Sequence, residues 1–492
     1  MKRTVFLFAA VIFIAFALVS CAENNPGEKI TPGEDTAVND GENGGSPGEE
    51  TPDGGGADLD ALYADDLPEQ DFGGEAFRIL ARDEPWLYVI YDSQEESGEL
   101  INDAVYGRNR KIEERFGVRI TQDITDDLSG LLSRNVRSGE DAYELYLPVD
   151  RDALNFGADG TVYKIADIPN IDITKPYWNQ SLNDSLTIGG DLYFAYGAFN
   201  LSVYDYTHVL LFNKQMVADL GLDSPYNLVN GGNWTFDAYA EMAKSAVKDL
   251  NGDGIMDDGD VYGLISIDKH VLPCFWIGAG VQSISKSDGD IPQFTLREEE
   301  RFASVIERIF DMTYDNDSWY RRPLDGRELY FIDGHTLFAD STFKGVGDLR
   351  GIESDFGIIP YPKYDAQQDG YYTRVEGGNP GVVPVTSQNI QMIGTIVEVL
   401  HSESAKTVIP AYYEVTLKTK HARDEESSEM LDLIFETRIY DLGDTYWSAI
   451  LRDGIFLDMF SRNDRNLASQ LEKVESRINN EINRVINAIN NN

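Results

Sequence analysis

The 492-residue chain holds only two cysteines, Cys21 and Cys274. Cys21 lies just after the N-terminal leader and outside the folded body, so Cys274 has no partner there with which to form a disulfide, and a disulfide framework is excluded. Cys274 lies in the apolar run VLPCFWIG and reads as a small buried hydrophobe. Bases are scarce: 41 Lys and Arg stand against 85 Asp and Glu, a formal charge of −44. Binding phosphate backbones needs a surplus of bases, so nucleic acid is excluded as a partner, and neutral or cationic ligands suit the chain better. The five histidines, His208, His270, His335, His401 and His421, show no HExxH spacing. There is no GxSxG elbow, and the glycine-rich GGNPG at 377–381 lacks the lysine of a phosphate loop. Past the leader, no apolar run reaches the length of a membrane-spanning helix.

The N-terminus is MKRTVFLFAAVIFIAFALVSC. Lys2 and Arg3 precede an apolar run from Val5 to Val19, shorter than the roughly 20 residues of a membrane span and suited to the core of an export signal. The run closes on Leu18-Val19-Ser20-Cys21, which resembles the lipobox of bacterial lipoproteins. That resemblance implies a signal peptide over 1–20, lipidation at Cys21, and a position on the extracytoplasmic face of the cell membrane. Residues 21–71 are rich in Gly, Pro, Asp and Glu and poor in apolar residues, so they read as a disordered acidic tether.

With 42% hydrophobic and 11% aromatic residues, the remainder can bury a sizeable core, and its length suits two or three compact units. The turn signal Gly73-Gly74 precedes the apolar strand Phe77–Ala81. Ile101, Val105, Ile112 and Phe116 fall along one helical face, and Gly117 ends that helix. Val118–Ile120 resumes as a strand. This strand–helix–strand succession predicts a parallel α/β sheet. Further strands are expected at 143–149, 192–197, 208–213 and 262–267. A helix is expected over 236–250, capped by Thr235, with Trp234 packed against it. From 467 onward, Leu471, Val474, Ile478, Ile482, Val485 and Ile489 share one side of a C-terminal helical segment, 451–492.

DLNGDGIMDDGD at 249–260 has the spacing of a twelve-residue calcium loop. Asp249, Asn251 and Asp253 take positions 1, 3 and 5, and Gly254 takes position 6, where the chain must turn sharply. Ile255 offers its carbonyl, Asp257 acts through a water, and Asp260 closes the set where Glu is usual. An all-oxygen donor set suits a hard cation, so structural Ca²⁺ is expected. A helix precedes the loop and a strand follows it, which fits a clamp better than a paired sensor.

The block FNKQMVADLGL at 212–222, followed by NWTFDAYAEMAKSAVKDLNGDGIMDDGDVYGL at 233–264, resembles the extracellular solute-binding proteins of ABC importers, of the sugar-binding type. DFGGEAFRILARDE at 71–84, NDAVYGRNRKIEERFGV at 102–118, DFGIIPYPKYD at 355–365 and AYYEVTLKTKHARDEESSEMLDLI at 411–434 resemble a lipoprotein branch of that family. The resemblance implies a periplasmic-binding-protein type II fold, two α/β lobes joined by a hinge. Lobe 1 is expected over 72–195 plus 333–383, and lobe 2 over 196–332 plus 384–450. It also implies a monomeric, non-enzymatic receptor that binds a sugar or oligosaccharide between its lobes and delivers it to ABC permease subunits. In such a fold, ligand meets the loops after the carboxyl ends of strands. Aromatic faces and carboxylates placed there make Trp86, Tyr88, Asp150, Arg151, Tyr196, Asn200, Trp276 and Asp340 the candidate ligand residues, with Trp178 undecided. The rivals are a secreted glycoside hydrolase or lyase and a surface protein that binds glycan without transport. With 85 acids, carboxylate pairs at hydrolase spacing arise by chance, and no local motif selects one.

Overall fold

The computed structural model describes residues 58–491 apart from 316, 322–326, 350–354 and 418–424. The signal peptide, Cys21, the tether up to residue 57, and His421 lie outside the described residues. The strands, in chain order, are β1 Glu75–Arg82, β2 Val118–Thr125, β3 Leu145–Leu147, β4 His208–Asn213, β5 Tyr262–Ser266, β6 Ser285–Ser287, β7 Ile291–Gln293, β8 Trp319–Arg321, β9 Thr336–Thr342, β10 Phe356–Ile359, β11 Thr373–Arg374 and β12 Arg438–Ile439.

Two sheets organise the chain. The first is parallel, in the order β2-β1-β3, with Phe77 opposite Ile120 and Ile79 opposite Leu145. The helix Leu100–Phe116 makes the crossover, and Gly117 ends it in the left-handed region at φ 59°. The second sheet runs β10-β4-β9-β5-β8. There β4 is antiparallel to both neighbours, while β5 is parallel to β9 and β8. Every residue of β4 and β5 is buried, as expected for strands covered on both faces, and both sequences are accordingly apolar runs. One continuous apolar cluster holds Phe77 and Ile120 from the first sheet together with Leu210, Leu264 and Phe338 from the second.

Several expectations are corrected. Residues 192–197 form no ladder strand. Only Gly197 makes an isolated bridge, to Trp178, because the segment threads between elements instead of lying beside a strand. The returning segment 333–383 was expected with the first sheet, but β9 and β10 hydrogen-bond into the second. The chain rejoins the first sheet only afterwards, where Val382 bridges Tyr146 and Pro384 bridges Val162. The helix Ile390–Lys406 then packs on Leu100–Phe116. The tether also ends earlier than residue 71. Asp58 caps the short helix Leu59–Leu62, and Asp65 takes two guanidinium hydrogen bonds from Arg115, at 2.7 and 3.0 Å. The helix over 236–250 stops at Ala246, with Thr235 capping it as expected.

The C-terminal helix Leu467–Asn491 buries Leu467, Leu471, Val474, Ile478, Ile482, Val485 and Ile489, packing on the helix Asp150–Ala158 and on β7. This periodic face is set by local spacing alone. Ile478→Ala is expected to lower the unfolding free energy by about 2–5 kcal/mol. The exposed Ser476→Ala should stay within about 0.5 kcal/mol of wild type. Urea denaturation of both variants checks this.

Candidate ligand-binding site

The carboxyl ends of β3 and β5 and the segment after β11 enclose a cavity of about 260 Å³. Its wall comprises Val149, Asp150 and Arg151 after β3, Tyr206 before β4, Lys269 after β5, Glu376–Asn379, and Asp444, Thr445, Ser448 and Arg452. A wider basin of about 660 Å³ continues from it through Lys269, past Asp268, Arg321, Asp453 and Asp458. At the rim, Trp86 is 57% exposed, and its indole N–H donates to the Tyr206 hydroxyl at 2.6 Å. A large indole held open to solvent by a hydrogen bond at its edge is a flat apolar face beside a polar cavity.

Asp150 opens the helix Asp150–Ala158, where the helix dipole favours negative charge. Its carboxylate accepts from the Arg151 backbone N–H at 2.6 Å and from the Tyr440 hydroxyl. Burial pushes its pKa up to about 6, against the pull of those hydrogen bonds. A Cβ on Gly377 would stand 2.9 Å from Asp150 Oδ2, so a larger residue there would displace the carboxylate.

Behind this wall lies a buried ionic network. Asp340 Oδ1 meets His208 Nδ1 at 3.2 Å, and Asp340 Oδ2 meets His270 Nδ1 at 2.7 Å. The Tyr361 hydroxyl donates to Asp340 Oδ1 at 2.8 Å. The opposite edges of both imidazoles face Glu376 Oε2, at 3.2 and 3.5 Å. Glu376 also pairs with Lys269 and reaches Arg374 at 3.9 Å. Arg374 clamps Asp444 through Nε at 2.6 Å and Nη2 at 3.1 Å, and Arg452 joins Asp444 at 3.2 Å. Burial raises the Asp340 and Glu376 carboxyls, but the adjacent imidazoles, the Arg374 guanidinium and their hydrogen bonds outweigh it. His270 acts most strongly on Asp340 and Arg374 on Glu376, and both carboxyls are held well below the usual range.

Of the candidates drawn from the sequence, Trp86, Asp150 and Arg151 come together here. The other five do not line this cavity. Tyr88 is packed edge-on against Tyr412, with its backbone N–H on Asp205. Tyr196 is fully buried beneath the wall, where a Cβ on Gly378 would come 2.7 Å from its hydroxyl. Asn200 is buried and holds the Asn379 carbonyl at 3.3 Å. Trp276 is a core residue whose N–H donates to Asp441 at 3.1 Å. Asp340 acts one layer back, through the two histidines. Tyr88 does follow a strand, but its side chain packs inward; Tyr196 and Asn200 follow a segment that forms no strand, Trp276 lies in the helix Asp268–Gly278, and Asp340 lies within β9. The strand-end rule would also have reached Lys269, three residues past β5. No local signal marks Tyr206, Glu376, Asp444 or Arg452, which arrive from distant segments. Trp178 is buried, stacked on His401 with centroids 3.7 Å apart.

The 249–260 loop is closed by the bridge between Lys248 and Val261. Gly254 turns at φ 82°, as position 6 demands. Asp249 accepts the N–H groups of Gly252 and Gly254 at 2.7 and 2.8 Å, and the enclosed Asp260 accepts those of Leu250 and Asp257 at 2.9 and 2.8 Å. The expected oxygen donors are therefore present on a correctly turned backbone and fit a hard cation in kind. Among the described residues, however, its carboxylates are not drawn into a three-ligand cluster.

No family model matches the chain, and no curated protein sequence does. Solved structures share its architecture. An ABC substrate-binding protein from Listeria monocytogenes in complex with cycloalternan is 13% identical, covering 83% of this chain and 99% of its own, with a TM-score of 0.53. A cyclo/maltodextrin-binding protein complexed with maltotetraose is 12% identical, covering 85% and 97%, with a TM-score of 0.54. The GacH receptor of Streptomyces glaucescens, solved unliganded and with acarbose, is 13% identical, covering 82% and 98%, with a TM-score of 0.52. The chain has the two-lobed type II fold of these solute-binding proteins. In this fold, the cavity at the carboxyl ends of the strands sits at the expected ligand position.

Removing Asp340 strands two imidazoles and a hydroxyl. Asp340→Ala is expected to cost about 3–5 kcal/mol of stability. Both network carboxyls lie below their unfolded values of about 4, so their contribution is complete above that pH and fades as the pH falls below it. The stability gap between wild type and Asp340→Asn should therefore narrow as the pH is lowered from about 6 to about 3. Denaturation curves at each pH test the sign.

Proposed function

We propose that the chain is an extracytoplasmic receptor that binds a sugar or short oligosaccharide between two lobes and presents it to an ABC importer. The observation that carries this is the exposed Trp86 face at the rim of a cavity walled by Asp150, Arg151, Lys269, Glu376, Asp444 and Arg452. Sugars pair C–H faces with aromatic rings and hydroxyls with charged planar groups, and a hydrogen bond to an ionised partner is roughly twice as strong as a neutral one. The shared fold supports the reading, as do the saccharides and the saccharide-like acarbose bound by the three structural relatives. One lobe is built on the β2-β1-β3 sheet and the other on the β10-β4-β9-β5-β8 sheet. Closure is a hinge motion that gives the permease a loaded shape to recognise. The receptor carries out no chemistry on its ligand, acts as a monomer, and is anchored through a lipid on Cys21 after loss of residues 1–20. The support for this anchoring is the Leu18–Cys21 lipobox.

A thermal-shift screen over mono- and oligosaccharides should find a stabilising ligand, and solution scattering should show compaction with no turnover. Stabilisation by peptides alone would refute the saccharide assignment. For the ligand found, Trp86→Ala should weaken binding about tenfold or more, equivalent to about 1.4 kcal/mol, without changing the fold measured by circular dichroism. Because Asp150 accepts hydroxyl hydrogen bonds best when ionised, affinity should fall as the pH drops through about 6. Asp150→Asn should lose that dependence in calorimetric titrations.

The 249–260 loop is proposed to hold a structural Ca²⁺ through Asp249, Asn251, Asp253, the Ile255 carbonyl, Asp257 and Asp260. The support is the donor spacing and the Gly254 turn. A chelator should lower the melting temperature, with a stability loss on the order of 2–3 kcal/mol if the ion is present at a hundredfold its Kd. Asp253→Ala should abolish the response, and a chelator without effect would remove the ion from the account.

A further inference from the structure

A second cavity, of about 350 Å³, shares no residue with the candidate ligand site. Tyr63, Trp178, Tyr204, Ile409, Phe435 and Arg438 shape it. Its walls combine the segment that enters the second sheet before β4 with the turn leading into β12.

Arg438 is the unusual member. Four arginines are buried among the described residues, Arg108, Arg374, Arg438 and Arg452. The other three satisfy their guanidinium groups. Arg374 and Arg452 share Asp444. Arg108 donates to Asn109, Ser404 and the Tyr91 carbonyl at 2.8–3.0 Å. Arg438 is only 4% exposed, and its Nε donates to the Phe435 carbonyl at 3.1 Å, but among the described residues Nη1 is enclosed with no acceptor and no carboxylate pairs with the group. Its guanidinium lies 4.5 Å from the Tyr204 ring centroid and 5.0 Å from that of Phe435. Such contacts return about 0.5–2 kcal/mol, less than the several kcal/mol that desolvating an ion costs. Glu436 lines the same cavity but is exposed and makes no ion pair with Arg438. The guanidinium is thus a buried cation in a protein of charge −44, with no anion of its own among the described residues.

We propose that this cavity is a second binding site, for a small organic anion whose carboxylate pairs with Arg438 and whose flat apolar body packs among Tyr63, Trp178, Tyr204 and Phe435. The size suits it, since small-molecule sites begin at about 300 Å³. Nε is taken by the Phe435 carbonyl and Nη1 is enclosed, so the carboxylate would take a charge-assisted hydrogen bond from Nη2. A further basic cavity differs in kind. It is lined by Arg151, Arg477 and Arg484, all exposed, and Arg484 is already paired with Glu481 at 2.9 Å. Water solvates those charges, and they need no anion.

The test uses benzoate as probe and benzamide as its neutral isostere, titrated by calorimetry into the full-length protein. Benzoate should bind at least tenfold more tightly than benzamide. Arg438→Gln should abolish the preference, and Tyr63→Ala, which leaves Arg438 untouched, should weaken benzoate severalfold. Should Arg438→Gln fail to fold by circular dichroism, the benzoate-to-benzamide ratio and the Tyr63→Ala variant decide. Equal binding of the two probes, no binding of either, or benzoate affinity unchanged by the substitutions would overturn the proposal. The two sites separate cleanly: a saccharide response lost in Trp86→Ala with no benzoate response refutes the anion site alone, and the reverse pattern refutes the receptor reading alone.

Discussion

A chain of alternating buried charges ties this molecule together. It runs from Asp340 through His208 to Glu376, then through Arg374 to Asp444 and Arg452. Its six members come from four stretches of sequence: β9, the start of β4, β11 with the residues just after it, and two positions near the C-terminal helices. An ion taken from water costs several kcal/mol unless its partners replace the lost hydration. No member can therefore be enclosed until the others are in place. That requirement fixes how the second sheet meets the segment that returns to the first, and so sets the wall of the cavity.

The same network explains why the cavity is polar yet shaped. Glu376 is partly open to the cavity while its other contacts reach into the interior, and Asp444 is fully buried between Arg374 and Arg452, so their orientations are set before any ligand arrives. Asp150 is held differently, by a helix start and the Tyr440 hydroxyl, and burial leaves it titrating near neutrality. Trp86 is kept at the rim by a single bond to Tyr206. Fixed charges on one side and an open aromatic face on the other are what a polar ligand with apolar C–H faces requires.

Arg438 marks a contrast within the same molecule. Where Arg374 has Asp444, Arg438 has only two aromatic faces and a carbonyl. The electrostatic logic that completes the central network is left incomplete at the second cavity.

Local patterns in the sequence determined a good part of this protein. The helix stop at Gly117, the Thr235 cap, the buried runs of β4 and β5, the glycine turn at 254 and the periodic face from 467 all depend on residues a few positions apart, and each stands where the spacing places it. Tertiary structure decided what depends on distant segments meeting. Residues 192–197 are as apolar as a strand but found no strand to form a ladder with. β9 joined the second sheet because its ladder partners, β4 and β5, lie there. Tyr196, Trp276 and Asp340 turned inward, while Tyr206, Lys269, Glu376, Asp444 and Arg452 were brought to one wall. The direction of a side chain at a strand end, and the partner of a buried charge, are set by packing across large sequence separations, and neither leaves a trace in local spacing.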